Sequence, residues 1–192
     1  MGLRERKKAA THAAIQAEAM RLFTDHGFEA TTVEMVAAAA NVSPVTCYRY
    51  FPTKESLVLS DDYDSLIVAG IQAQPQALGL ADRVEAGVVA ALSRLGGRGL
   101  AMVRVRLRLV ERTPQLRARL WDQQARTAAL LAAALGPADL GTAAVAAACL
   151  SVMTVAMTEW AARPEGEDPT RVLRAAFDAL RGAWDSTRQA GS

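Results

Sequence analysis

Residues 31–57 read TTVEMVAAAANVSPVTCYRYFPTKESL, and the reading of this stretch decides the fold. Thr31 followed three residues on by Glu34 is a capping-box pattern, so a helix is expected to begin there and to bury Met35, Val36 and Ala39. Asn41-Val42-Ser43 then makes a turn: Asn tolerates positive φ, Val42 can plug the space between two helices, and Ser43 can cap the next one. Pro44 suits a first helical position, where a missing N–H costs nothing. From there, Pro44, Val45, Tyr48 and Arg49 share one helix face, and Cys47, Tyr50 and Phe51 share the other. One face packs and one looks outward. Pro52 ends the helix. Thr53 can cap a following one, and Lys54 adds a positive charge to that helix's exposed amides, a suitable clamp for phosphate. Two short helices joined by a tight turn, the second presenting small residues, a phenol and a guanidinium, suit a helix-turn-helix. Its second helix meets base edges in the major groove.

Upstream, Ile15, Ala19, Leu22 and Phe23 recur at the spacing of one helix face, and Gly27-Phe28 stops that helix. Gly27 can take a positive φ while Phe28 folds back onto the last turn. Arg4, Arg6, Lys7 and Lys8 form a basic start with two open readings, a solvated end or a phosphate-touching arm.

Downstream, a connecting helix is expected over 53–73, carrying Leu57, Leu59, Leu66, Ile67 and Ile71 before a polar break at Gln72-Ala73-Gln74-Pro75. The acidic run Asp61, Asp62 and Asp64 has neither His nor Cys nearby and reads as a solvated face rather than a metal site. Leu78 to Leu95 reads as another helix, ended by Gly96-Gly97. Val103 to Leu109 alternates apolar and Arg with the period of a strand. No second strand-like run exists to pair with it, so it is read as helix, with some arginines turned toward the core. Those arginines either pair and snorkel or face an anionic ligand group. Thr113-Pro114 opens a long helix closed by Gly136-Pro137. A further helix runs from Asp139 to about Ala162. Asp168-Pro169 starts a last helix that forms an antiparallel hairpin with it.

The 192 residues are 51% hydrophobic and only 5% aromatic, rich in Ala, Leu, Arg and Glu, which favours an all-α protein. The domain reading is a DNA-binding domain over 1–52 and a helical regulatory and dimerisation domain over 53–192. A net charge of +2 permits DNA binding without arguing for it. Cys47 and Cys149 lack zinc or disulfide spacing and read as buried thiols in a reducing cytoplasm. No signal-peptide core precedes the first helix, and the Ala-rich segments are taken as interrupted by charges or too weakly hydrophobic to span a bilayer, so neither export nor a membrane partner is expected. His12 and His26 both fall in the first helix. No Ser or Cys has a nucleophile's context and no Gly-rich phosphate loop occurs, so the reading is not an enzyme, with no cofactor and no metal.

Tyr48, Tyr50-Phe51 and Lys54-Glu55-Ser56-Leu57, led in by Leu22-Phe23 and Gly27-Phe28, resemble the signature of the TetR family of one-component transcriptional repressors. The resemblance covers roughly the first sixty residues. Asn41 stands where the family usually has Gly, and Cys47 where it usually has a larger apolar residue. The resemblance implies phosphate contacts from Tyr48, Lys54 and Thr32, and a groove-facing set of Pro44, Val45, Thr46 and Arg49, with Ser43 at the cap beside them. Arg49 either reads guanine through O6 and N7 or contacts phosphate or an acid.

A helix-turn-helix monomer touches too few base pairs to single out one site, so a homodimer on a double-stranded operator is expected. The last two helices would supply the interface, through Val152, Leu173, Phe177, Leu180 and Trp184, as half of a four-helix bundle. The family resemblance implies a pocket among the middle helices whose ligand opposes DNA binding. Met102, Arg104, Arg108, Trp121, Met153, Met157 and Trp160 are the candidate lining, and an apolar small molecule is the expected effector. The alternative is an architectural or partner-regulated DNA binder without a small-molecule switch.

Overall fold

A computed structural model describes the backbone of residues 2–60 and 63–190 and the side chains of 2–60, 63–120 and 123–183. Among these the chain is helical throughout, with no strand: α1 (Leu3–His26), α2 (Val33–Ala39), α3 (Pro44–Tyr50), α4 (Ser56–Leu59), α5 (Asp64–Gln72), α6 (Leu80–Arg112), α7 (Pro114–Leu135), α8 (Leu140–Ala162) and α9 (Pro169–Ala190). Two compact units result, Met1–Ser60 with Arg108–Leu120, and Asp61–Leu107 with Trp121–Ser192.

In the first unit α1 contacts α2 and α4, and α2 contacts α3. Ile15, Ala19, Met20, Leu22 and Phe23 of α1 are buried, as are Val33, Val36 and Ala37 of α2, Cys47 of α3, and then Phe51, Leu57 and Val58. Each such large side chain stabilises the fold by about 1.5–3 kcal/mol relative to exposure. Gly27 takes φ 86°, and the Phe28 ring returns to within 5.0 Å of Phe23. The start of α2 differs from the sequence reading by one residue. Thr32, not Thr31, is the cap and accepts from Met35 N at 3.2 Å. Thr31 is buried, its hydroxyl donating to Gly27 O at 2.9 Å and Leu22 O at 3.2 Å. The buried face turns accordingly: Val33, Val36 and Ala37 go inside, whereas Met35 is 38% exposed and Ala39 lies outside.

The expected continuous helix over 53–73 is two helices, since Ser60 leaves α4 with extended backbone at ψ 124°. Ser and Asp compete with their own backbone for hydrogen bonds, so the run Ser60-Asp61-Asp62 is a poor helix interior. Asp61 and Asp62 themselves lie outside the described residues.

The core of the second unit gathers Ile71 of α5, Val84, Val88 and Val103 of α6, Leu131 of α7, Cys149, Met153 and Trp160 of α8, and Leu173 and Phe177 of α9. Gly70 and Gly87 let α5 and α6 touch backbone to backbone: a Cβ on Gly87 would come within 2.6 Å of Ile71 N, and one on Gly70 would strike the Gly87 carbonyl. Gly96 leaves helical geometry at φ 62°, which breaks α6 where Gly96-Gly97 was expected to end a helix. The alternating Arg segment is helical, and Val103 and Arg104 fall on the buried side. Arg181 of α9 holds Asp82 at 3.0 Å and Glu85 at 2.8 Å on α6.

α8 and α9, joined by the short loop 163–168, pack along each other. α6 and α8 each contain an 18-residue stretch long and apolar enough to cross a membrane by length and composition, with mean hydropathies of 1.2 and 1.9, which corrects the expectation that these segments fall short. α8 is apolar on every side. Met153 and Trp160 enter the core while Leu140 and Val155 stand exposed.

Candidate nucleic-acid interface

The site is built on α3. Ser43 caps it, accepting from Thr46 N at 3.1 Å, with its hydroxyl 2.9 Å from that of Thr46, and Pro44 takes the first turn. The turn before it closes through Asn41 at φ 54°, a conformation Asn adopts more readily than other side-chain-bearing residues. Two side chains anchor the helix from within, Cys47 and Phe51, both fully buried. Burial, and secondarily the Glu34 carboxylate, push the Cys47 thiol up, so it serves as a small apolar anchor rather than a nucleophile.

The opposite face is open. Val45 is 78% exposed and Tyr48 45%, and Ser43, Pro44 and Arg49 are exposed beside a half-buried Thr46. Thr32 is exposed at the start of α2. Lys54 is half-buried: its ammonium sits 4.4 Å from the centre of the Phe28 ring and donates to Glu29 O at 3.2 Å. That holds its charge three residues from the Thr32 cap. Thr53 and Ser56 exchange hydrogen bonds between backbone N–H and side-chain hydroxyl, which fixes the chain on either side of Lys54.

Sequence reading left the basic start open between a solvated end and a phosphate-touching arm. The basic start is not a tail but the first turns of α1, opened by a Gly2 N–H that donates to Glu5 at 3.0 Å. Arg4, Lys7, Lys8 and Thr11 lie on one face of it, and with Glu5, Arg49 and Tyr50 they line a cleft of about 630 Å³. The spacing 4, 7, 8, 11 was a visible signal of a shared face, but nothing local says that Arg49 stands opposite. His12 moors the two helices, its ring 4.4 Å from that of Phe51 and 6.1 Å from that of Tyr50.

The residues expected to line a ligand pocket separate. Arg104 is buried and structural: it donates to Arg163 O at 2.6 Å and Pro164 O at 3.2 Å, and its guanidinium lies 4.2 Å from the Trp160 ring. Trp160 in turn donates to Glu167 O at 2.8 Å. Met153 and Trp160 belong to the core and Met157 packs against it, while Met102 is half-buried. Arg108 falls in the other compact unit, and the Trp121 side chain lies outside the described residues. An apolar stripe with a cation above a ring reads the same in sequence whether it lines a cavity or fills a core. Of the expected interface residues, Leu173 and Phe177 are buried in their own unit and so form no outer face, while Val152 is half-buried against that core. Leu180 is half-buried, and the Trp184 side chain lies outside the described residues. Among the described residues no cluster of three or more His, Cys, Asp or Glu could hold a metal.

Residues 15–60 match the family model of bacterial regulatory proteins of the tetR family, and residues 78–185 match that of the MftR C-terminal domain. The HTH-type transcriptional regulator TcmR of Streptomyces glaucescens is 32% identical over 201 residues, covering 97% of this chain and 87% of TcmR. The chain belongs to the TetR family. It is a transcriptional regulator of a DNA-binding family, not an enzyme. TetR-family structures share its fold. The regulator from Nitrosomonas europaea aligns with a TM-score of 0.61 at 17% identity over 90% of this chain and 98% of its own. Thermus thermophilus FadR, solved in complex with lauroyl-CoA, aligns with a TM-score of 0.54 at 22% identity over 88% and 92%. The TetR signature residues Tyr48, Tyr50, Phe51 and Lys54 thus sit on an outer face, at a cleft, in the core and over a ring, respectively.

Proposed function

We propose that this TetR-family regulator is a homodimeric repressor whose α3 enters the major groove of an operator half-site and which a small apolar molecule releases. The observation that carries the reading is the division of α3 into a buried side, Cys47 with Phe51 beyond it, and an open side, Val45, Tyr48 and Arg49. Val45 and the Thr46 methyl suit thymine methyls, Arg49 suits guanine O6 and N7, and Tyr48, Thr32 and Lys54 suit the phosphates on either side. One such helix covers a short half-site, so two copies on a two-fold axis are needed.

The dimer surface we assign differs from the one read in the sequence. It is the outer side of α8 and α9, where Ala144, Ser151 and Val155, with Ala175, Ala179 and Gly182, are exposed. Small side chains allow a second copy's helices to approach closely and complete a four-helix bundle. An apolar effector bound within the second unit would oppose operator binding by linkage, each weakening the other by the same factor.

The test is to select operator sequences with the full-length protein and to measure its mass in solution. A two-fold symmetric site bound by a dimer is expected. Val155→Arg with Ala179→Arg should give monomers that lose operator affinity. A protein that stays monomeric at micromolar concentration and on DNA would overturn the dimer. Apolar compounds that raise the melting temperature should release operator; compounds that bind without releasing it would overturn the switch.

A further inference from the structure

The cleft between the start of α1 and the end of α3 adjoins the recognition face described above and shares Arg49 with it. Arg4, Lys7 and Lys8 bring three cations to it from successive turns of one helix face, and Arg49 brings a fourth from α3. All four are exposed, and among the described residues none is ion-paired. Glu5 is the one acid in the lining, and its carboxylate is engaged by Gly2 N at 3.0 Å. Tyr50 and Thr11 add hydroxyls to the wall. Arg49 also lies over the Tyr50 ring, 5.7 Å from its centre; four cations without an acidic partner around one open space repel each other, and that cost is removed by a polyanion running through it. The His12 ring against Phe51 and Tyr50 fixes the two walls to each other, so the cations need little ordering when an anion arrives.

We infer that this cleft is a seat for the DNA sugar-phosphate backbone, flanking the groove that α3 reads. A recognition helix meets base edges with its N-terminal residues, so its C-terminal end, where Tyr50 sits, turns toward the rim of the groove, with Arg49 at the border between base edges and backbone. Arg4, Lys7 and Lys8 then hold consecutive phosphates of the strand along that rim and carry affinity without base preference. The inference rests on α3 docking through its open face, and it adds about three phosphates per protomer to that contact.

The test uses the full-length protein and two duplexes, the selected operator and a random sequence of equal length. The triple variant Arg4→Gln, Lys7→Gln, Lys8→Gln keeps helix-forming side chains and removes the charges, and far-UV circular dichroism checks that α1 persists. It is expected to weaken binding to both duplexes by a similar factor, about tenfold or more near 0.1 M salt. The salt slope should fall in magnitude by about two to three per protomer. The charge-preserving variant Arg4→Lys, Lys7→Arg, Lys8→Arg should keep the slope. In the wild type, ethylation of the phosphates seated in the cleft should interfere with binding; in the triple variant the interference at those phosphates should be lost, while that at the phosphates met by Tyr48 and Lys54 persists. An unchanged slope in the triple variant, with Lys54→Ala still lowering it, would overturn the cleft and leave the α3 reading standing. If Lys54→Ala and Arg49→Ala were silent as well, the docking face itself would be wrong. Loss of affinity that the charge-preserving variant fails to restore would mark the three residues as packing, and would also overturn the proposal.

Discussion

Two sets of cations, one in each compact unit, are used in opposite ways. In the first, Arg4, Lys7, Lys8 and Arg49 stand in water. In the second, Arg83 and Arg104 are buried, and each donates to the C-terminal end of another helix: Arg83 to Leu135 O of α7 at 2.8 Å, Arg104 to the carbonyls of residues 163 and 164 that follow α8. Arginine stays protonated in proteins, so a buried one must find acceptors, and the last carbonyls of a helix supply both lone pairs and the negative end of its dipole. Arg83 is not fully matched, since its Nε has no hydrogen-bond partner among the described residues. Overall charge conceals this contrast: residues 1–60 hold seven Lys and Arg against six Asp and Glu. What fits a surface for DNA is which cations are left free, not how many there are.

The comparison breaks most readily at Trp160, against which Arg104 is stacked. Trp160→Ala removes a fully buried ring and should cost about 3–5 kcal/mol of unfolding free energy by denaturant titration. A cost below about 1 kcal/mol would mean that the Arg104–Trp160 assembly does not organise the second unit. Arg104→Ala should cost about 1–3 kcal/mol by leaving the part-buried carbonyls of residues 163 and 164 without their donor and uncovering the Trp160 ring. Arg104→Lys should recover little of it, because an ammonium cannot both stack on the ring and reach two acceptors. Full recovery by Lys would reduce the arginine to a point charge.

The cations of the first unit should give the reverse pattern. Arg49→Ala is expected to leave the melting temperature unchanged and to relax preference at one base pair by about 1–3 kcal/mol, read from affinities for single-substituted operators. A uniform loss across all sequences would assign Arg49 to phosphate. Lys54→Ala should weaken every duplex and reduce the salt slope by about one. It should also cost about 0.5–1 kcal/mol of stability, since Lys54 covers the Phe28 ring. An unaltered slope with lost stability would make Lys54 a structural residue, like the arginines of the second unit.

How far the sequence could be read follows the same division between local and distant causes. Gly27, Asn41, Ser43-Pro44, Asp139 and Asp168-Pro169 act through their own backbone, and each punctuates a helix where the sequence indicated. Thr31 and Thr32 show the limit. Either could cap α2, and what decides is that the Thr31 hydroxyl reaches Leu22 O and Gly27 O, a contact invisible to a local pattern. Leu173 and Phe177 illustrate another limit, because periodicity marks the apolar face of α9 without saying whether its own core or a second copy covers it. The cleft cations needed residues 4 and 49 to be neighbours, which no spacing rule conveys.

The smallest effect concerns the other end of α8, where the matching charge is a carboxylate. Asp139 caps this helix, accepting from Thr142 N at 2.7 Å, while Arg104 holds the carbonyls after its last turn. The bonds from Thr142 hold the Asp139 carboxyl below its ordinary value. A depressed carboxyl stabilises the folded state above its unfolded value, near pH 4, and that contribution is lost as pH falls through the folded value. Asp139→Asn keeps the cap and removes the titration. The melting temperature of the wild type should therefore match or slightly exceed that of Asp139→Asn at pH 7 and fall relative to it between about pH 4 and pH 2. Parallel curves over that range would show that the cap is held by its geometry alone, and that the charge pairing of α8 is real only at its Arg104 end.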